Sequence, residues 1–132
     1  LLRKRLVHPM YGKIGFLHGE PIAAEPLETT AAQILKRRTG LTGEFHVAGS
    51  GLARIFLDNK LESFTSFTLL TATIADNGLE NSTDETGENF WTESDSPDFT
   101  QPDMLPSMAD LADLSAKHTT GHFFSDKTYF LE

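Results

Sequence analysis

Apolar positions recur along this chain at two different spacings. Leu27, Ala31, Ile34 and Leu35 fall at i, i+4, i+7 and i+8, a stripe that predicts a helix over residues 26–39. Proline suits the first helical position and Glu28 the positive first turn. Lys36, Arg37 and Arg38 suit the negative last turn, and Gly40 is a stop. Elsewhere the spacing is that of strands, expected over residues 1–7, 13–17, 44–48, 54–57 and 87–91. Gly49-Ser50-Gly51 reads as a flexible break between two of them, and Asp58-Asn59-Lys60 as a turn. Residues 61–74, rich in Phe, Thr and Leu, predict a long central strand. Its two faces carry Phe67 and Leu69 on one side and Phe64, Leu70 and Ile74 on the other, which predicts a sheet covered on both sides. Residues 76–86 and 97–106 are polar enough for exposed loops. Leu105, Met108, Leu111 and Leu114 give a second helix over 107–117, and 123–131 is an aromatic terminal strand or docked tail.

This succession of elements predicts one α+β domain over residues 1–132, and composition agrees. A chain of 132 residues with 39% hydrophobic and 23% charged residues suits a soluble domain with a single core. No run of 18 apolar residues offers a membrane span, and no signal-peptide pattern opens the chain. The absence of cysteine excludes disulfides and thiolate metal sites, so a cytoplasmic location is expected. Because the first residue is Leu, the chain is expected to be a piece of a longer product. The net charge of −8 combines a basic first half with an acidic second half. An acidic surface argues against long nucleic acid as a partner, which needs a basic footprint.

One stretch carries more information than the rest. Gly19 is followed by five residues and then Glu25, and seven residues later comes Gln33-Ile34-Leu35-Lys36-Arg37-Arg38-Thr39-Gly40-Leu41. This spacing resembles the Nudix box, G-x5-E-x7-R-E-U-x-E-E-x-G-U, where U is a bulky aliphatic. The approach 12–19, with Gly12, Phe16 and Gly19, resembles the family's G-x-W-x-F-P-G-G. Gly87-Glu88-Asn89-Phe90-Trp91 resembles its late G-E-x-x-W strand, whose tryptophan is expected to pack under the sheet edge. The resemblance implies a Nudix-like α/β/α sandwich, a mixed curved sheet between helices, here lacking its first strand.

It does not carry the family's chemistry across. Positions 34, 37 and 38 share one helix face, where three carboxylates would hold divalent cations against a pyrophosphate. Here Ile34, Arg37 and Arg38 take that face from a formal −3 to +2. Glu28 lies about 120° round the helix from Ile34 and restores nothing. The expectation is therefore a module with a degenerate box and no metal. It binds a nucleotide-like or other anionic small molecule, or a protein partner, through Arg37, Arg38, His18 and Gly19. The alternative is a pyrophosphohydrolase acting on a nucleoside diphosphate linked to another moiety, with Mg or Mn relocated to Glu25 and Glu88. The histidines show no H-x3-H or HExxH spacing, and Ser50 lacks the G-x-S-x-G frame, so neither zinc nor serine chemistry is expected.

Overall fold

The computed structural model describes residues 1–6, 14–74, 80–92, 109–112 and 122–131. Strand β1 (Leu2–Arg5) pairs antiparallel with the short β2 (Ile14–Gly15). Helix α1 (Leu27–Thr39) follows. Pro26 stands at its N-cap, and Gly40 closes it in the left-handed conformation, its N–H donating to the Lys36 carbonyl at 2.8 Å. Strands β3 (Gly43–Leu57) and β4 (Lys60–Ile74) form a long hairpin. Its two-residue turn, Asp58-Asn59, has φ of 49° and 63°, the left-handed pair that a type I′ turn requires. A second, short hairpin joins β5 (Ser82–Asp84) to β6 (Gly87–Phe90), and β7 (Phe123–Leu131) comes last.

The fold is α+β, but its described strands make two sheets rather than the one mixed sheet expected. One has the order β2-β1-β6-β5 and is antiparallel. The other, β4-β3-β7, is mixed, with β3 antiparallel to β4 and parallel to β7. Helix α1 packs against β3 and also reaches β5, so it touches both sheets. The buried apolar side chains Leu2, Leu35 and Ala48 come from β1, α1 and β3. Among the described residues no helix is long and apolar enough to cross a membrane.

Four local expectations are corrected. Gly49-Ser50-Gly51 is no break but the middle of β3, where β7 passes closely. A Cβ on Gly49 would lie 2.5 Å from the Phe123 carbonyl oxygen, so glycine there permits pairing. Among the described strands β4 lies at a sheet edge, not in the centre, because β3 takes partners on both sides. Among the described residues its sheet also keeps large apolar side chains exposed on one face. Leu61, Phe64, Phe124 and Phe130 are exposed, around Arg54, which bonds Asp126 and lies 4.8 Å over the Phe64 ring. Finally, residues 82–84 within the expected 76–86 loop form β5, since Asp84 organises a turn of its own. The expected 97–106 loop lies outside the described residues. Of the 107–117 helix, 109–112 is described and helical, and Tyr129 donates to Asp110 there at 2.6 Å.

Candidate anion site

Arginines at i and i+2 of a strand project to one face, and Arg3 and Arg5 on β1 do so. Arg3 is buried, only 5% exposed, and a buried guanidinium must be paired. Its Nη1 donates to Asn89 Oδ1 at 2.7 Å; its Nη2 donates to Asp84 Oδ1 at 2.8 Å and Thr86 Oγ1 at 2.6 Å. The register sets up these contacts, because Arg3 stands opposite Asn89 on β6. Gly87 leaves the room. A Cβ there would lie 2.6 Å from Arg3 Cζ.

Asp84 is the hub. Its Oδ1 also accepts from the backbone N–H groups of Thr86 at 2.8 Å and Gly87 at 3.1 Å, an Asx turn that closes the β5–β6 hairpin. Its Oδ2 accepts from Arg38 Nη1 at 3.0 Å, which ties the end of α1 to the sheet. The Arg3 bond above all, and then the Thr86 donors, hold the Asp84 carboxyl well below the usual carboxylate range, against the opposing effect of burial. Asn89, 1% exposed, completes the tie by donating to the Arg38 carbonyl at 3.0 Å.

In front of this network lies a cavity of about 190 Å³ lined by Arg3, Arg5, His18, Arg38 and Thr86. Arg5 Nη1 lies 3.2 Å from His18 Nε2, and His18 Nδ1 lies 3.5 Å from the Phe16 carbonyl. That arrangement suits a neutral imidazole, protonated on Nδ1 and accepting from Arg5. Desolvation and the guanidiniums of Arg5, Arg3 and Arg38 push the His18 pKa below its usual value, while the Phe16 carbonyl pulls it up. Three fork-shaped cations round one small cavity are suited to phosphate or carboxylate oxygens.

Two of the residues expected from sequence meet here, His18 and Arg38. Arg37 is exposed and does not line the cavity, because one residue round the helix turns it some 100° away from Arg38. Gly19 does not line it either; it packs on Ile34, whose Cδ1 fills the place a side chain at 19 would take. Ile34 itself is half-buried, whereas Leu35 is buried. Glu25 accepts from Thr30 Oγ1 at 3.1 Å and Gln33 Nε2 at 3.4 Å at the start of α1, which makes it a partner of the helix's first turns. Glu88 alternates with the buried Gly87 and Asn89 on β6, opposite Lys4, and so faces away from Arg3 and the end of α1. Among the described residues, no group of three His, Asp or Glu side chains is placed to hold a metal ion. Trp91 is half-buried at the end of β6, its backbone N–H donating to Asn81 Oδ1 at 3.1 Å. A larger groove of about 470 Å³ between α1 and the start of β3 has Glu28, Lys36, Glu44 and Phe45 in its lining, and none of the buried polar side chains reaches it.

Sequence reasoning missed Arg3, Arg5, Asp84, Thr86 and Asn89. The i, i+2 arginines and the Asp-x-Thr-Gly turn were present as signals, but their meeting depends on β1 pairing with β6 more than eighty residues away. Comparison with known proteins adds nothing to this geometry: no family model, curated protein or solved structure matches the chain.

Proposed function

We propose that this chain is a Nudix-like module with a degenerate box that binds a small phosphate-bearing ligand, nucleotide-like or otherwise, without hydrolysing it. The observation that carries the reading is the convergence of Arg3, Arg5, Arg38 and His18 on one cavity. The Nudix-like part rests on the box spacing and on the succession of short strand, turn and helix, with Gly19 seated against Ile34. Loss of catalysis follows from charge. Arginines at 37 and 38 oppose a divalent cation where carboxylates would attract one. The net charge of −8 disfavours long nucleic acid and anionic membranes as partners, and a cytoplasmic setting suits the reading.

Calorimetric titration with nucleoside mono- and diphosphates, paired with a turnover assay in magnesium and manganese, tests this. Binding that weakens as salt rises, with no turnover, is the expected result. Metal-dependent turnover that disappears in Glu25→Gln or Glu88→Gln would replace this reading with the relocated hydrolase. A second reading, a module for a protein partner, is favoured by the exposed Phe64, Phe124 and Phe130. Absence of small-anion binding, together with self-association or complex formation lost in Phe124→Ser, would support it instead.

A further inference from the structure

The β4-β3-β7 sheet has two unlike faces. Residues opposite one another in a sheet point the same way, so the register sorts its side chains. On one face Tyr129 is half-buried and donates to Asp110 of the helical segment 109–112. On the other, Phe64, Arg54 and Thr128 stand in one row and Phe56 and Phe130 in the next. Asp126 and Phe124 continue that face along β7. The register shift after Ile55 leaves Glu62 unopposed and sets Leu61 opposite Phe56, which brings Leu61 onto this face as well.

This second face is apolar, exposed and already ordered. Leu61 is 56% exposed, Phe64 59%, Phe124 70% and Phe130 71%. Phe130 stacks on Phe56 with ring centroids 5.2 Å apart, and Arg54 lies over the Phe64 ring. Rings held in this way lose little freedom when a partner covers them. With about 150–250 Å² for a whole phenylalanine side chain, the exposed parts of these four side chains amount to roughly 400–600 Å². That matches the largest apolar patch of a typical monomer, which is often functional. Two such patches pressed together remove roughly 800–1,200 Å² from water, about the 1,000 Å² that a specific interface needs.

Charge identifies the partner. The chain carries −8, yet this face is neutral. Between Ser50 and Phe56, Phe64 and Thr68, and Phe124 and Phe130, its charged side chains are Arg54 and Asp126, which bond each other. A surface that selects a basic or acidic partner carries a net charge of the opposite sign. An anionic membrane likewise finds no uncompensated cation here. A two-fold axis turns a patch upon itself, and a patch with one charge of each sign then matches its own copy.

We propose that this face binds a second copy of the chain. Two β4-β3-β7 sheets stack about a two-fold axis, with the phenylalanines between them and Arg54 of each copy reaching Asp126 of the other. The face shares no residue with the anion cavity, so dimer and anion site stand or fall separately.

Sedimentation of the purified chain over a range of concentrations tests this. Monomer is expected to give way to dimer as concentration rises through the micromolar range. Phe124→Ser and Phe130→Ser are each expected to weaken dimerisation at least tenfold. Both side chains are exposed in the single chain, so its melting temperature at high dilution is expected to stay near that of the parent. Charge reversal tests the two-fold pairing. Arg54→Asp and Asp126→Arg each bring like charges together and are expected to be monomeric alone. Mixed in equal amounts they are expected to form a heterodimer, because each supplies the charge the other lacks. Amide spectra check that every variant is folded. A chain that stays monomeric at every concentration overturns the proposal, and if it then binds phospholipid vesicles the face belongs to a membrane. A dimer indifferent to both serine variants, or a mixture of the charge variants that stays monomeric, overturns it too.

Discussion

Asp84 joins one carboxylate to two guanidiniums, one of them buried, and removing it strands Arg3 without its counter-ion. Breaking a buried pair from one side costs about 3–5 kcal/mol, so Asp84→Ala should lose about that much unfolding free energy, seen as a lower urea midpoint with an unchanged slope. The same carboxylate sets an acid limit. Folding lowers its pKa, so its contribution is complete above the unfolded value of 3.8 and is lost as pH falls through the lower folded value. His18 acts in another window. Its folded pKa is depressed, so the unfolded chain takes up the proton first, and stability declines on acidification from about 6.5 down to the folded value. The groups facing it are Arg5, Arg3 and Arg38, with the Phe16 carbonyl opposing them. Chemical denaturation between pH 7.5 and 5 should therefore show a smaller slope with pH in His18→Gln than in the parent. Of the residues lining this cavity, His18 and Arg38 are the two that the sequence singles out, since both belong to one local motif. A buried arginine on a strand gives no local sign of burial, because what pays for it arrives from a distant hairpin.

Elements show the converse. Helix α1 was legible almost to the residue, because its stripe, its terminal charges and Gly40 all act within a few turns. The long hairpin was only half legible. Its turn residues announced themselves, but the glycines of β3 carry a meaning that only β7 supplies, and read alone they suggest a loop. Gly49→Ala tests that meaning. The added Cβ would press on both the backbone and ring of Phe123, and overpacking of this kind costs about 1–3 kcal/mol. Equilibrium unfolding checks it, and an unchanged midpoint would mean that β7 is held by something other than close approach at this position. Ile34 is half-buried against Gly19 rather than sunk in the core. Ile34→Glu is therefore expected to destabilise by about 1–3 kcal/mol, which a urea midpoint resolves, and less than Leu35→Ala, expected at about 2–5 kcal/mol.

At the scale of the molecule, divalent metal offers a simple contrast. A ligand at a hundred times its dissociation constant adds about 2.7 kcal/mol to the folded state, worth about 10 °C in a domain of this size. Magnesium at matched ionic strength is expected to leave the melting temperature where a chelator leaves it, whereas inorganic phosphate is expected to raise it. A rise specific to magnesium would contradict the charge argument at Arg37 and Arg38. The α+β class was legible because it depends on how many helices and strands there are. The division into two sheets was not, because it depends on which strand edges meet.

The place of β3 between β4 and β7 has a consequence in time. The β3–β4 hairpin closes through a two-residue turn, and hairpins of that kind form within about 1–10 μs. Pairing of β7 with β3 brings Phe123 to Gly49 and must first close a loop spanning the chain between them, which is slow by comparison. Synthesis from the ribosome imposes the same order, since the hairpin emerges long before its third strand. Until β7 docks, the β3 edge from Gly49 to Leu57 stands open, with unmatched amides alongside Ile55 and Phe56. The period between hairpin closure and β7 docking is when this chain is most exposed to pairing with the wrong partner.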